Sequence, residues 1–405
     1  MKKQKKEKWV KFRHRIITAV LRVLLRPYVV LKYGIECVKF KEQGDRQYLI
    51  LLNHQTPFDQ FFVALSFKRP IYYMATEDIF SKGFVSSIIR YLVAPIPIKK
   101  QTSDVAAVLN CLRVAREGGT ICIAPEGNRT YSGKTEYINP TIASLAKRLR
   151  LPIALYRIEG GYGVQPRWSD VVRNGKMRAY VSEVIEPEDL KAMTDDELNE
   201  RIVNGLFVDE AYTDGIYRHK ERAQYLERAI YVCPFCKLAE FESNGDIVTC
   251  KRCGRSVRYG ETKELSGIGF DFPFTYVSQW YEYQKELVNQ LDLTAMTDEA
   301  IFEDVANFSQ VIVNKKKLTL RENAQIKLYG NRITIDEDGN EPLTFLFDEL
   351  TAVSVLGRNK LNIYQAATVY QFKGGKRFNA LKYVNFYYRY NNIAKGEEDG
   401  QFLGL

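Results

Sequence analysis

His54 and Asp59 lie within Asn53-His54-Gln55-Thr56-Pro57-Phe58-Asp59, directly after the apolar run Tyr48–Leu52. A histidine just past a buried strand and a carboxylate in the first turn of the next helix can fold onto one another. The carboxylate then holds one ring nitrogen and raises the basicity of the other. A base so arranged takes a proton from a substrate hydroxyl, and no protein nucleophile is needed. The chain has three histidines, His14, His54 and His219, so an imidazole mechanism must use one of them. The same residues also suit a plain helix start, with Asp59 favoured by the macrodipole and His54 satisfying a carbonyl.

A second group, Pro125-Glu126-Gly127-Asn128-Arg129-Thr130, follows the apolar run Thr120–Ala124. Gly127 permits a tight turn, and Arg129 offers a planar fork for phosphate. Glu126 is an acceptor for a hydroxyl or a clamp for Arg129. A surface turn with a local Glu–Arg pair is the alternative, and such a pair contributes little.

Four of the seven cysteines form two close pairs, Cys233-Pro-Phe-Cys236 and Cys250-Lys-Arg-Cys253, with thirteen residues between them. Two such pairs suit a tetrahedral thiolate zinc site, and Gly254 helps the second turn. Paired disulfides are disfavoured without a secretory signal, and a redox dithiol needs only one pair. Four thiolates leave no vacant position, so this Zn2+ is expected to be structural and to take no part in catalysis.

Taken together, the first two groups resemble the glycerophospholipid acyltransferase family, best known for the 1-acyl-glycerol-3-phosphate acyltransferases. The family's first motif is Asn-His, four residues, Asp, matched by Asn53, His54 and Asp59. Its third is Pro-Glu-Gly-Thr-Arg-Ser; here Asn128 replaces Thr and Thr130 replaces Ser. Its second ends in Phe-Ile-Asp-Arg, where this chain has Pro97-Ile98-Lys99-Lys100, so only basic character survives, at Lys100. Leu151-Pro152-Ile153-Ala154-Leu155 is similar to the fourth motif but lacks its second proline.

The resemblance covers about residues 1–215, and the two main motifs occur in order about 70 residues apart. It implies that His54 deprotonates an acceptor hydroxyl, that Asp59 orients it, and that the alkoxide attacks an acyl thioester. Arg129, with Glu126, Gly127, Asn128 and Lys100, would shape the acceptor site. The implied partners are acyl-CoA or acyl-ACP as donor, a lysophospholipid acceptor and membrane phospholipid, with no cofactor for catalysis. The altered second motif keeps open an acceptor with another headgroup, or an amino-acid lipid. A non-catalytic membrane adaptor is the competing class.

These residues need a scaffold. Apolar strands (Tyr48–Leu52, Pro70–Ala75, Thr120–Ala124, Pro152–Ile158) alternate with helical stretches: one beginning at Thr56-Pro57 with Thr56 as cap, then Ser103–Glu117 and Thr141–Leu149. That alternation predicts an α/β sheet flanked by helices. Asp195–Glu227 reads as polar helix and Phe270–Leu291 as a packing helix. From about Asn307 come short strands (317–321, 325–329, 332–336, 343–347, 360–364, 368–372), a turn at Asp338-Gly339 and a last helix at about 377–391. This run predicts a small β-barrel-like domain closed by a helix, resembling a pleckstrin-homology domain in pattern. The expected divisions are 1–33, a basic amphipathic helix; 34–215, the acyltransferase domain; 216–231, a helical linker; 232–258, the zinc ribbon; 259–304, a helical connector; and 305–395, the C-terminal domain.

At 405 residues, with 45% apolar and 27% charged residues, the chain has ordinary globular composition for two or three domains. Its net charge is +10, yet residues 1–15 alone carry six Lys, two Arg and one Glu. Excess charge on one arm, and not in stripes on folded domains, argues against nucleic acid as a partner. The apolar stretch after the arm favours an anionic membrane surface. Arg22 and Arg26 interrupt that stretch, so a membrane span is not expected, and no small-residue cleavage site follows it. On a helical wheel Lys8, Lys11, Arg15, Thr18, Arg22 and Arg26 share one face, and Trp9, Ile16, Ile17, Val20, Leu21 and Leu24 the other, with Arg13 out of place. The expected location is the cytoplasmic face of a membrane, peripheral or monotopic.

Overall fold

A computed structural model describes residues 8–80, 83–98, 105–312, 317–336 and 342–396. Among these residues the first sheet has seven strands: β1 (Ile35–Cys37), β2 (Leu49–Leu52), β3 (Ile71–Thr76), β4 (Ile96–Ile98), β5 (Thr120–Ile123), β6 (Ile153–Glu159) and β7 (Met177–Ile185). Their order is β1-β7-β6-β2-β5-β3-β4. Strands β6, β2, β5, β3 and β4 run parallel, whereas β7 returns antiparallel to β6. The central strands β2 and β5, Leu-Ile-Leu-Leu and Thr-Ile-Cys-Ile, are buried along their whole length, as parallel strands covered on both faces must be. One core lies on each side of the sheet: Leu49, Leu51, Ile121 and Ile153 face one, and Tyr48, Ile50, Leu52 and Ala154 the other.

Helices Val105–Arg116, Thr141–Leu149 and Asp195–Leu206 cover one face. The other is covered by Asp59–Ser66 and the end of the N-terminal helix Phe12–Tyr33, through Val29 and Tyr33. That helix ends at Gly34 in the left-handed conformation, φ 58°, where a Cβ would meet the Gly175 carbonyl oxygen at 2.2 Å. Only glycine fits both demands.

The expected helix over Asp195–Glu227 stops at Leu206. The expected helical linker 216–231 consists of turns with one 3-10 segment at Leu226–Arg228, and Ala223, Leu226, Ala229 and Ile230 are buried. It is therefore a packed inter-domain segment, and its apolar residues fill a core where a helical period was expected.

The cysteine-rich region forms β8 (Val232–Cys233), β9 (Lys237–Leu238), β10 (Phe241–Asn244), β11 (Ile247–Cys250), β12 (Ser256–Tyr259) and β13 (Leu265–Gly267). The last four make an antiparallel meander. The packing helix runs Val277–Gln290; Trp280 Nε1 donates to the Val232 carbonyl at 2.7 Å, and Gln284 bonds the backbone of Tyr231 and Ala229.

The C-terminal strands are β14 (Phe302–Val311), β15 (Leu318–Leu328), β16 (Arg332–Ile335), β17 (Leu343–Leu346), β18 (Ala352–Leu356), β19 (Lys360–Gln365) and β20 (Thr368–Gly374). They form one antiparallel sheet ordered β17-β16-β15-β14-β20-β19-β18. Phe345 of β17 touches Tyr370 and Phe372 of β20, two strands of the sheet that are not neighbours, so the sheet curls into a half-barrel around an aromatic core. Helix Ala380–Lys395 packs on β18 and β19. The turn expected at Asp338-Gly339 lies outside the described residues.

The ribbon, the packing helix and the half-barrel share one apolar core, which also takes in Tyr131, Tyr162 and Trp168 of the first domain. Arg228 strengthens the junction, bonding Asp170, the Trp168 carbonyl and the Lys376 carbonyl.

Candidate active site

Strands β2 and β5 are parallel neighbours, so the loops at their carboxyl ends lie side by side, where ligands of open α/β sheets bind. The helix after β2 begins at Asp59, three residues later than Thr56, the expected cap. The reason is local. The Asp59 carboxylate accepts the backbone N–H groups of Gln55 and Thr56 and the Thr56 hydroxyl, drawing 55–58 into a tight turn. That turn carries His54 back over its own helix: His54 Nδ1 stands 2.7 Å from Asp59 Oδ2. An ionised carboxylate only accepts, so its contact assigns the ring proton to Nδ1 and leaves Nε2 as the free base, on a side chain that lines the cavity. Asn53, the residue before His54, is locked in place because its side chain donates to the Ile158 carbonyl on β6 and accepts the Ile158 N–H.

The second loop holds the first. Gly127, at φ 71°, closes a turn through its N–H to the Ala124 carbonyl. Glu126 turns inward: Oε1 accepts the His54 N–H at 2.7 Å and Oε2 the Glu136 N–H at 2.8 Å. The expected clamp between Glu126 and Arg129 is not what forms, because both carboxylate oxygens are taken by main-chain donors. Burial pushes the Glu126 carboxyl up to about 8, against the pull of those two N–H groups. The Thr130 N–H donates to the His54 carbonyl at 3.2 Å, so both main-chain polar groups of the histidine are bonded to this loop.

Both loops open on a cavity of roughly 1430 Å³. His54, Asp59, Glu126, Gly127, Asn128 and Arg129 all line it. Its greasy part is formed by the N-terminal helix (Leu21, Leu25) together with Phe61, Leu65 and Ile79. Lys100 lies outside the described residues. Arg129 Nη1 is buried without a hydrogen-bond partner. Burial and the neighbouring guanidiniums of Arg167 and Arg358 lower its pKa to about 9.

Several participants carried no signal. Gln55 accepts the Tyr162 N–H at 2.8 Å and braces the loop. Arg167, buried and lining the cavity, donates to the Arg129 carbonyl at 2.9 Å and to Asn128 Oδ1 at 3.2 Å. No motif marks it; its only hint is a charge inside Gln-Pro-Arg-Trp, between apolar neighbours. The other two histidines are elsewhere: His14 contacts the Tyr72 hydroxyl, and His219 sits in a loop where the long polar helix was expected.

The N-terminal helix differs from its wheel. Arg22, expected on the polar face, donates to the Arg69 carbonyl and lines the cavity with Thr18. Trp9, expected on the apolar outer face, points inward, its Nε1 bonded to the Ala94 carbonyl and its backbone N–H to Glu117. Leu21 also faces the cavity. Arg13 stacks 4.1 Å over the Tyr91 ring of helix Phe84–Val93, which explains its misplacement on an isolated wheel. The outward face is Phe12, Ile16, Val20, Val23, Leu24 and Leu31, and Phe84 and Val85 continue the exposed apolar surface on the second helix. Among the described residues no helix is long and apolar enough to cross a membrane.

The four ribbon cysteines converge. Cys233 and Cys253 sulfurs are 3.8 Å apart, Cys236 and Cys250 3.6 Å, and all four lie within 4.8 Å of one another. Metal–sulfur bonds of ~2.3 Å in a tetrahedron place sulfurs ~3.8 Å apart, so the donor set fits one tetrahedral metal ion.

Residues 34–158 match the family model described as Acyltransferase, a span that includes both motif loops. No curated protein matches the chain. Among solved structures, the 1-acyl-sn-glycerophosphate acyltransferase of Thermotoga maritima is similar over 48% of this chain and 78% of its own, at 19% identity and a TM-score of 0.42.

Proposed function

We propose that this protein moves a fatty acyl group from an acyl thioester, acyl-CoA or acyl-ACP, to the free hydroxyl of a lysophospholipid, with 1-acyl-glycerol-3-phosphate as the acceptor and phosphatidic acid as the product. The observation that carries the reading is the His54–Asp59 contact at 2.7 Å on the wall of a large cavity that is greasy at one side and arginine-lined at another. His54 Nε2 takes the acceptor's hydroxyl proton. The alkoxide attacks the thioester carbonyl, the C–S bond breaks, and the departing thiolate takes the proton back from His54. Asp59 holds the tautomer throughout, and Arg129 takes the acceptor's phosphate.

The four cysteines would hold a structural zinc ion outside this chemistry. The metal would fix the ribbon that joins the two larger domains. The half-barrel and its closing helix would be a pleckstrin-homology-type domain, a reading that the antiparallel strands and the single terminal helix support. The exposed apolar face of the N-terminal helix and Phe84–Val93 would lie at the headgroup level of a cytoplasmic membrane leaflet, with the basic arm beside anionic lipid. The experiment is direct: purified protein is incubated with acyl thioesters and a panel of lysolipids, and products are identified by mass. A diacyl product from 1-acyl-glycerol-3-phosphate supports the reading, and the absence of acylated product from every acceptor refutes it.

A further inference from the structure

Arg167 is 2% exposed, and among the described residues no carboxylate lies within ion-pair distance of it. Its guanidinium donates to neutral acceptors: the Arg129 carbonyl, Asn128 Oδ1 and, at 3.4 and 3.5 Å, the carbonyls of Gly357 and Val355. The last two belong to the C-terminal half-barrel, at the end of β18. The Tyr131 ring supports the guanidinium from one side at 4.2 Å. A buried, always-charged group with only dipolar partners needs an anion close by. Beside it Arg129 keeps a buried Nη1 unpaired, and it too has no acidic partner within ion-pair distance among the described residues. Arg358, on the turn after β18, adds a third positive charge, while its own bond to Asp170 is shared with Arg228. Positive charge thus accumulates at one end of the cavity, and half of its framework belongs to the second domain.

The half-barrel also walls the cavity directly. Leu356 and Gly357 line it near the arginines, and Asn392 and Lys395 of the terminal helix line it as well. The motif departure fits this arrangement: where the resembled family has Thr, Asn128 presents an amide oxygen that reaches Arg167.

We infer that the C-terminal domain is part of the acyl-acceptor site: it seats Arg167 beside Arg129, and the two guanidiniums together bind the phosphate monoester of the acceptor. This rests on the acyltransferase reading above. Arg167 is then a specificity-determining residue, and Arg358 tunes the same field from outside the cavity lining.

The test uses the full chain and two acceptors with the same acyl chain, 1-acyl-glycerol-3-phosphate and the phosphate-free 1-acyl-glycerol. Arg167→Gln should raise KM for the phosphate acceptor at least about tenfold, with the neutral acceptor and the acyl donor changed less than about threefold. Arg167→Lys should recover only part of the loss, because a point charge lacks the fork. Equal damage to both acceptors, or a raised KM for the donor, would overturn the inference while leaving acyl transfer itself standing. A wild-type protein inactive on every acceptor would instead refute the underlying reading. If Arg167→Gln does not fold, Arg358→Gln decides: a KM rise of about threefold confined to the phosphate acceptor supports the inference, and no difference between acceptors overturns it.

Discussion

The main-chain N–H of His54 donates to the Glu126 carboxylate at 2.7 Å, so the loop that carries the arginine also holds the base. Glu126 is thus a positioning residue, and its two oxygens bind two separate strands of loop. Above pH 8, where the carboxyl is ionised, Glu126→Gln keeps the shape but turns an amide N–H toward one of those N–H donors. We expect kcat to fall about tenfold, equivalent to ~1.4 kcal/mol of misplacement, with KM for either substrate little changed. Steady-state kinetics on both substrates checks this.

The same carboxyl gives a pH dependence. Burial raises its pKa from 4.5 to about 8 in the folded chain, so between these values the native state binds more protons than the unfolded one. Stability therefore falls as pH rises through that window. Glu210, raised to about 7 by burial, acts in the same direction. Melting temperature measured from pH 5 to pH 9 should decline, and Glu126→Gln should flatten the decline. A profile that rises toward pH 9 would contradict the assignment.

The ribbon should carry one zinc ion per chain. Cys250→Ser removes a buried ligand, and we expect loss of metal and lower protease resistance of residues 232–267. Because the ribbon shares its core with the half-barrel, the cooperative melt should weaken too. Metal analysis and limited proteolysis of protein prepared under reducing conditions measure both effects.

The proposed membrane contact should be separable from catalysis. Val20→Glu, Val23→Glu and Phe84→Glu alter exposed side chains that do not line the cavity. Binding to anionic vesicles should drop, and turnover of a short-chain soluble lysolipid should stay within about twofold. Deleting the whole N-terminal helix is a poorer test, because Thr18, Leu21, Arg22 and Leu25 wall the cavity. Unchanged sedimentation with vesicles would place the contact elsewhere.

Much of the site was legible because its pieces are local. His54 and Asp59 are five residues apart, and a strand-to-helix turn is enough to bring them together. The four cysteines have a spacing that lets their sulfurs converge within 4.8 Å. Five of the seven half-barrel strands were visible as short runs, β15 as two pieces, whereas β14 and β18 were not. Long-range packing was not legible. Arg22 sits on a polar wheel face, yet the cavity is on that side; Glu126 pairs with main-chain N–H groups, which have no sequence signature; and Arg167 depends on carbonyls some 190 positions away in the chain. Residues 207–231 read as helix from their polarity, but their apolar members fill the junction between domains.

In the proposed reaction His54 and Asp59 work as an acid–base pair on a lipid acceptor. The most direct measurement is single-turnover acyl transfer from an acyl thioester to 1-acyl-glycerol-3-phosphate, comparing the wild type with His54→Ala and Asp59→Asn at matched folding. We expect His54→Ala to lose about 10²–10⁴-fold in rate, and Asp59→Asn to lose a comparable factor through the wrong tautomer, with acceptor binding retained in both. A His54→Ala protein that transfers acyl groups within a few-fold of the wild-type rate would rule out His54 as the base.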